Sequence, residues 1–236
     1  MSMPKDLEIL GGYPILEQLA IELRDGYDPP MDYHNWDGHI LKGLIRINEI
    51  QSSGMAIDVN NWFVVRAAYI GHDWGLTSTK KDPTLLDSYD CAEEMAAEKT
   101  RDCIIELGLG EAEAEQIYSG ILGTNPNYPC ETPEAKAICR VDLGNTGDSF
   151  EIFLRNFFSV QLEDKRIDQL LINPRSVVES TCNFLRLYLR RSELVLGPND
   201  TFPSDMEKNI LAIQSMGTSA IRSATELWMQ RTRTTS

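Results

Sequence analysis

Apolar positions recur at helical spacing along nearly the whole chain. Ile40, Leu41, Leu44, Ile47 and Ile50 share one face; Asp37 is placed to cap that helix and Gly54 to end it. Residues 59–72 are apolar on most sides, as a central buried helix is, with Asp58 or Asn60 as cap. A third long helix is predicted over 88–108. Ala92, Met95, Ala96, Cys103, Ile104 and Leu107 are its inner face and Gly108 its stop. Shorter helices follow at about 111–123 and 133–144, divided by the Pro126/Pro129 loop. Phe150, Phe153, Leu154, Phe157 and Phe158 form an aromatic stripe whose spacing marks it as core. Pro174 suits the first turn of a helix running to about Leu196, and Gly197-Pro198-Asn199-Asp200 breaks it. Ser204-Asp205 opens a last helix with Ile210, Leu211, Ile213, Ile221, Leu227 and Trp228, frayed from Arg231. No stretch reads as a strand, and no repeat is visible. The expectation is one all-α domain over residues 1–236, with a core of about 30–165 and C-terminal helices at about 166–232.

Composition narrows the class. With 36 acidic and 22 basic residues the net charge is -14, which disfavours duplex nucleic acid as a partner, because such binding needs cations against phosphates. A small anionic substrate remains compatible, since a metal and a few cations reverse the sign locally. No window is apolar enough to cross a membrane, and the start (Met1 to Asp6) lacks a basic segment followed by an apolar run, so a cytoplasmic protein is expected. The acidic surface and aromatic C-terminal helices permit a homodimer. The five cysteines are odd in number and lack Cys-x-x-Cys spacing, so they read as buried thiols.

All three histidines fall between residues 34 and 72. Tyr33-His34-Asn35-Trp36-Asp37-Gly38-His39 opens one helix; Gly71-His72-Asp73-Trp74-Gly75 closes the next. Adjacent side chains diverge by ~100° on a regular helix, but an end loosened by Gly71 and Gly75 lets His72 and Asp73 turn to one point. A histidine from a neighbouring helix and a carboxylate from a third would complete a metal site within a bundle. Asp142, on the apolar face one turn after Ile138, is either that carboxylate or the partner of Arg140 or Lys136.

His39, His72-Asp73 and Asp142 match the H…HD…D pattern of the HD-domain metal-dependent phosphohydrolases, and Tyr33-His34-Asn35 resembles the Tyr-His-Asn preceding the first ligand in several of its branches. A predicted HD phosphohydrolase branch is similar over most of residues 30–215, including Asp142-Leu143-Gly144. The resemblance implies an HD-like helical bundle. It implies one divalent transition metal (Mn, Fe, Co, Ni or Zn, with Mg also accommodated) on His39, His72, Asp73 and Asp142. It also implies hydrolysis of a nucleotide or other small phosphate ester by activated water, with Asp73 in the catalytic set. His34 resembles a proton-donor position, its alternative being a hydrogen bond behind the ligands. Glu98 resembles a site-facing Glu after the HD pair, its alternative being an exposed helical residue. Related sequences space the two histidines by four residues. Here they are five apart, as if Gly38 were inserted, so the first ligand is His39 if the entry turn absorbs the extra residue and His34 if it does not.

Lys80 and Lys81, in the expected loop after His72-Asp73, together with Arg66 and Arg155, are the candidate phosphate-binding cations. Trp36 and Trp74 either wall the pocket or belong to the core. Gly108-Leu109-Gly110 follows no strand and is not a dinucleotide loop. The alternative function is a catalytically weak metal-binding regulatory protein, suggested by the inserted Gly38 and the lack of any histidine after His72. That lack also disfavours a di-iron oxygenase on the same scaffold.

Overall fold

In a computed structural model, the structure describes residues 9–10, 12–28, 33–55, 58–190, 195–197 and 199–235. The described residues are helical without a strand, which establishes the all-α class. None of their helices is long and apolar enough to cross a membrane. Residues 1–6, Pro198 and Ser236, named above, lie outside the described set.

The chain divides into two compact units. One comprises Met1–Asp142 with Glu193–Asp200, the other Leu143–Ser192 with Thr201–Ser236. The division thus falls at Asp142, and the aromatic-stripe helix goes with the second unit.

In the first unit the helices are α1 (Pro14–Arg24), α2 (Leu41–Ser53), α3 (Trp62–Gly71), α4 (Leu76–Lys81), α5 (Ala92–Glu106), α6 (Glu111–Leu122) and α7 (Pro133–Asp142). α3 is the central helix: Val64 through Gly71 are all buried, and it packs against α1, α2, α5, α6 and α7. Small residues make this crowding feasible. A Cβ on Gly71 would meet Thr100 Oγ1 of α5 at 2.0 Å, and one on Gly43 of α2 would meet the Tyr69 ring at 2.1 Å. α1 was not among the predicted helices, although its buried Leu16, Leu19, Ala20 and Leu23 follow the same spacing.

Several ends differ from expectation. The cap before α2 is Asn35, whose Oδ1 accepts from Gly38 N–H at 2.6 Å; Asp37 is exposed in the first turn. Asn61, not Asp58 or Asn60, caps α3 through Val64 N–H. Gly54 (φ 66°) ends α2 as predicted, in the left-handed conformation that glycine adopts without a Cβ clash.

The second unit holds α8 (Phe150–Glu163), α9 (Ile167–Ile172), α10 (Pro174–Leu189), α11 (Phe202–Ser215) and α12 (Thr218–Thr235). Phe153, Phe157 and Phe158 are core, as the stripe predicts. α10 stops at Leu189, so Leu196 is not part of it. The last predicted helix is two helices parted at Met216-Gly217. The first opens on Phe202-Pro203 rather than Ser204-Asp205, and the second continues helical to Thr235.

Candidate metal centre

Residues 36–40 form one π-helical turn leading into α2. Ile40 N–H and Leu41 N–H reach back five residues, to the Asn35 and Trp36 carbonyls. A π-turn accommodates one more residue than an α-turn. From this turn His39 points inward with its side chain 1% exposed.

α3 ends at Gly71, and the next four residues form a turn that Gly75 (φ 76°) closes. Trp74 N–H bonds the Gly71 carbonyl and Leu76 N–H the Asp73 carbonyl. In this turn His72 and Asp73 converge as the sequence suggested, Nε2 to Oδ2 at 3.1 Å. α7 delivers Asp142 as its last residue.

Three of the groups, His39, His72 and Asp73, close on one point, and Asp142 approaches the same two imidazoles. His39 Nε2 and His72 Nε2 are 3.1 Å apart. Asp73 Oδ2 lies 3.3 and 3.1 Å from them, and Asp142 Oδ1 lies 3.2 and 3.3 Å. Donors bound to a common ion at ~2.1 Å stand ~3.0 Å apart as octahedral neighbours and ~3.4 Å apart in a tetrahedron. The observed separations fall between those values. His72 Nδ1 donates to the Tyr69 carbonyl at 2.8 Å, which leaves the Nε2 lone pair for the centre. Asp73 Oδ2 is buried against the two Nε2 atoms, where its charge must be met by an imidazole proton or by a cation. His39, His72 and Asp73 therefore form a buried group able to hold a metal ion, with Asp142 beside it.

Electrostatics agree with the donor set. Burial pulls the His72 and His39 pKa values down, but Asp73 and Asp142 overcome it and raise both, His72 strongly. Enclosure pushes the two carboxyls up; the imidazoles reverse this and hold both well below the usual range. The imidazoles are sealed, whereas Asp73 and Asp142 are 15% and 22% exposed, so the centre opens to solvent on the carboxylate side. Tyr69 stacks on His72 with ring centroids 4.6 Å apart, and its hydroxyl donates to the His39 carbonyl. Burial keeps that hydroxyl protonated.

Of the other expected site residues, His34 is brought to the centre. Its half-buried ring is 5.4 Å from that of His39. Arg66 is not: its guanidinium is bonded to Asn48, Gln51 and the Trp62 carbonyl, one turn back along α3 and away from His72. Its expected phosphate contact is corrected to a structural role between α2 and α3. Lys80 and Lys81 are exposed in the last turn of α4, not in a loop. Glu98 is half-buried and its charge bears on Tyr118 of α6. Arg155 is exposed on α8 of the second unit. Trp36 is core, edge-on to Tyr27, and Trp74 lies over Gly26. Sequence reasoning missed Tyr69. Its position one helical turn before His72 was the available signal.

No family model matches the chain, and no curated protein or solved structure shows significant similarity to it.

Proposed function

We propose that the protein is a metal-dependent phosphohydrolase of the HD type, acting on a nucleotide or other small phosphate ester. The observation that carries this reading is that the His39 and His72 Nε2 atoms stand 3.1 Å apart and each lies 3.1–3.3 Å from Asp73 Oδ2 and from Asp142 Oδ1. His39, His72, Asp73 and Asp142 would hold one divalent ion. Their mixed nitrogen and oxygen donors suit Mn, Fe, Co, Ni or Zn, with Mg also accommodated. Such an ion supplies Lewis acidity toward the phosphate and lowers the pKa of water. The two carboxylates neutralise the dication, while Tyr69 fixes His72 through its carbonyl. His34, half-buried with its ring 5.4 Å from that of His39, would hand a proton to a leaving alkoxide.

The test is elemental analysis of protein purified without chelator, with phosphate release measured across nucleotides and simple esters in Mn, Co and Ni. Asp73→Ala should abolish both metal content and turnover. Turnover that persists without bound metal defeats the proposal. A second reading, a metal-binding regulatory protein with weak catalysis, draws support from Arg66 being committed between helices. Stoichiometric metal with no hydrolysis of any substrate would favour it.

A further inference from the structure

Away from the metal centre, two cysteines share one acceptor. Cys130 lies in the loop before α7 and Cys139 in the last turn but one of that helix. Both residues are 1% exposed. Their thiols both donate to the Gly123 carbonyl just past α6, at 3.1 and 2.8 Å. A carbonyl oxygen has two lone pairs and can accept both, and the two sulfurs lie 2.6 Å apart. That is well inside non-bonded contact and ~0.6 Å longer than a disulfide bond. Both residues belong to the first unit, and Asp142 follows Cys139 by three residues in α7.

We propose that Cys130 and Cys139 are a disulfide-forming pair, oxidised by hydrogen peroxide, whose bond clamps the loop before α7 onto the helix that presents Asp142. Burial selects the oxidant class: a peroxide is small enough to reach sulfurs that a bulky disulfide cannot. One thiol sulfur attacks the peroxide; its S–O bond forms, the O–O bond breaks and water leaves. The second sulfur then displaces that oxygen; the S–S bond forms, the S–O bond breaks and a second water leaves. Two thiols thus lose two electrons and two protons to one peroxide. The neighbouring thiol intercepts the sulfenic acid before it oxidises further. In a reducing compartment the pair rests as two thiols. The proposal is independent of the phosphohydrolase reading.

The test uses the wild-type chain. Folded, fully reduced protein is given a small excess of hydrogen peroxide, quenched in acid and denaturant, alkylated and peptide-mapped. Cys182, whose thiol burial pushes up to about 11, is the slow internal control. The expected result is a cross-linked peptide joining Cys130 to Cys139, with alkylatable thiols falling from five to three, reversed by dithiothreitol. Alkylation of Cys130 and Cys139 to the same extent as Cys182, pairing of either with another cysteine, or their conversion to sulfinic acid would each overturn it.

Discussion

Gly43 determines whether Tyr69 can lie where it does. A methyl there would sit 2.1 Å from the ring, which is fully enclosed and stacked on His72. Gly43→Ala should therefore cost about 1–3 kcal/mol by overpacking and weaken metal binding, because Tyr69 can yield only by moving His72. Urea unfolding and metal titration read the two effects; an unchanged metal affinity would separate Tyr69 from the centre. The imidazoles make a pH-dependent prediction. In the metal-free protein their raised pKa values stabilise the fold below ~6.5, the unfolded value, and that stabilisation is lost as pH rises through the folded values. The lowered carboxyls stabilise above ~3.9 and lose this as pH falls. Metal-free protein should melt highest between about pH 4 and 6.5, and a divalent ion, replacing protons on nitrogen, should remove the alkaline decline. Tm measured against pH, with chelator and with Mn, checks both. At this scale the candidate group of His39, His72 and Asp73 was legible because few residue types donate to metals. Tyr69 and Arg66 were not, because their roles depend on what packs across from them: His72 in one case, Asn48 and Gln51 in the other.

At the scale of elements, the π-turn before α2 sets His39 inward, against His72. Asn35 holds it from one side, through a 2.6 Å bond to Gly38 N–H. Asn35→Ala should cost about 1 kcal/mol, as loss of a cap usually does, and the frayed turn should lower metal affinity more than global stability. Comparing the Tm of metal-free protein with the metal Kd tests this; equal losses would mean that the cap serves the fold alone. Most of the longer helices were legible from apolar spacing, α3 above all, whereas α1 and the short α4 and α9 were not. Their ends were less so, since neighbouring polar residues compete to cap: Asn35 over Asp37, Asn61 over Asp58 and Asn60. The break at Met216-Gly217 escaped because apolar residues recur on both sides of it, buried Ile213 before and Ile221 after.

At the scale of the whole chain, the backbone leaves the first unit at Asp142, builds α8, α9 and α10 of the second, and returns through Glu193–Asp200 before α11. The return is fastened within the first unit by Arg140 and Asp200. Their side chains are 10% and 1% exposed, with Nη2 to Oδ1 at 3.4 Å, and Asp200 also accepts from Leu196 N–H at 3.1 Å. Arg140 sits two residues before Asp142 on α7, so the clasp and this candidate ligand share one helical turn. Nothing in the local pattern announced this pair, because its partners are 60 residues apart and the intervening chain belongs mostly to the other unit. Removing the carboxylate leaves a guanidinium enclosed without that counter-charge, a change that typically costs several times more than loss of an exposed ion pair. Asp200→Ala should thus destabilise the protein by about 3 kcal/mol, whereas Asp205→Ala, which deletes the exposed pair with Lys208, should cost under about 1 kcal/mol. Urea unfolding of both variants checks the contrast. A metal titration of Asp200→Ala in its folded baseline then asks whether releasing the return segment also loosens Asp142; a Kd equal to wild type would confine the clasp to holding the chain, and a weaker one would make it part of what aims α7 at the centre.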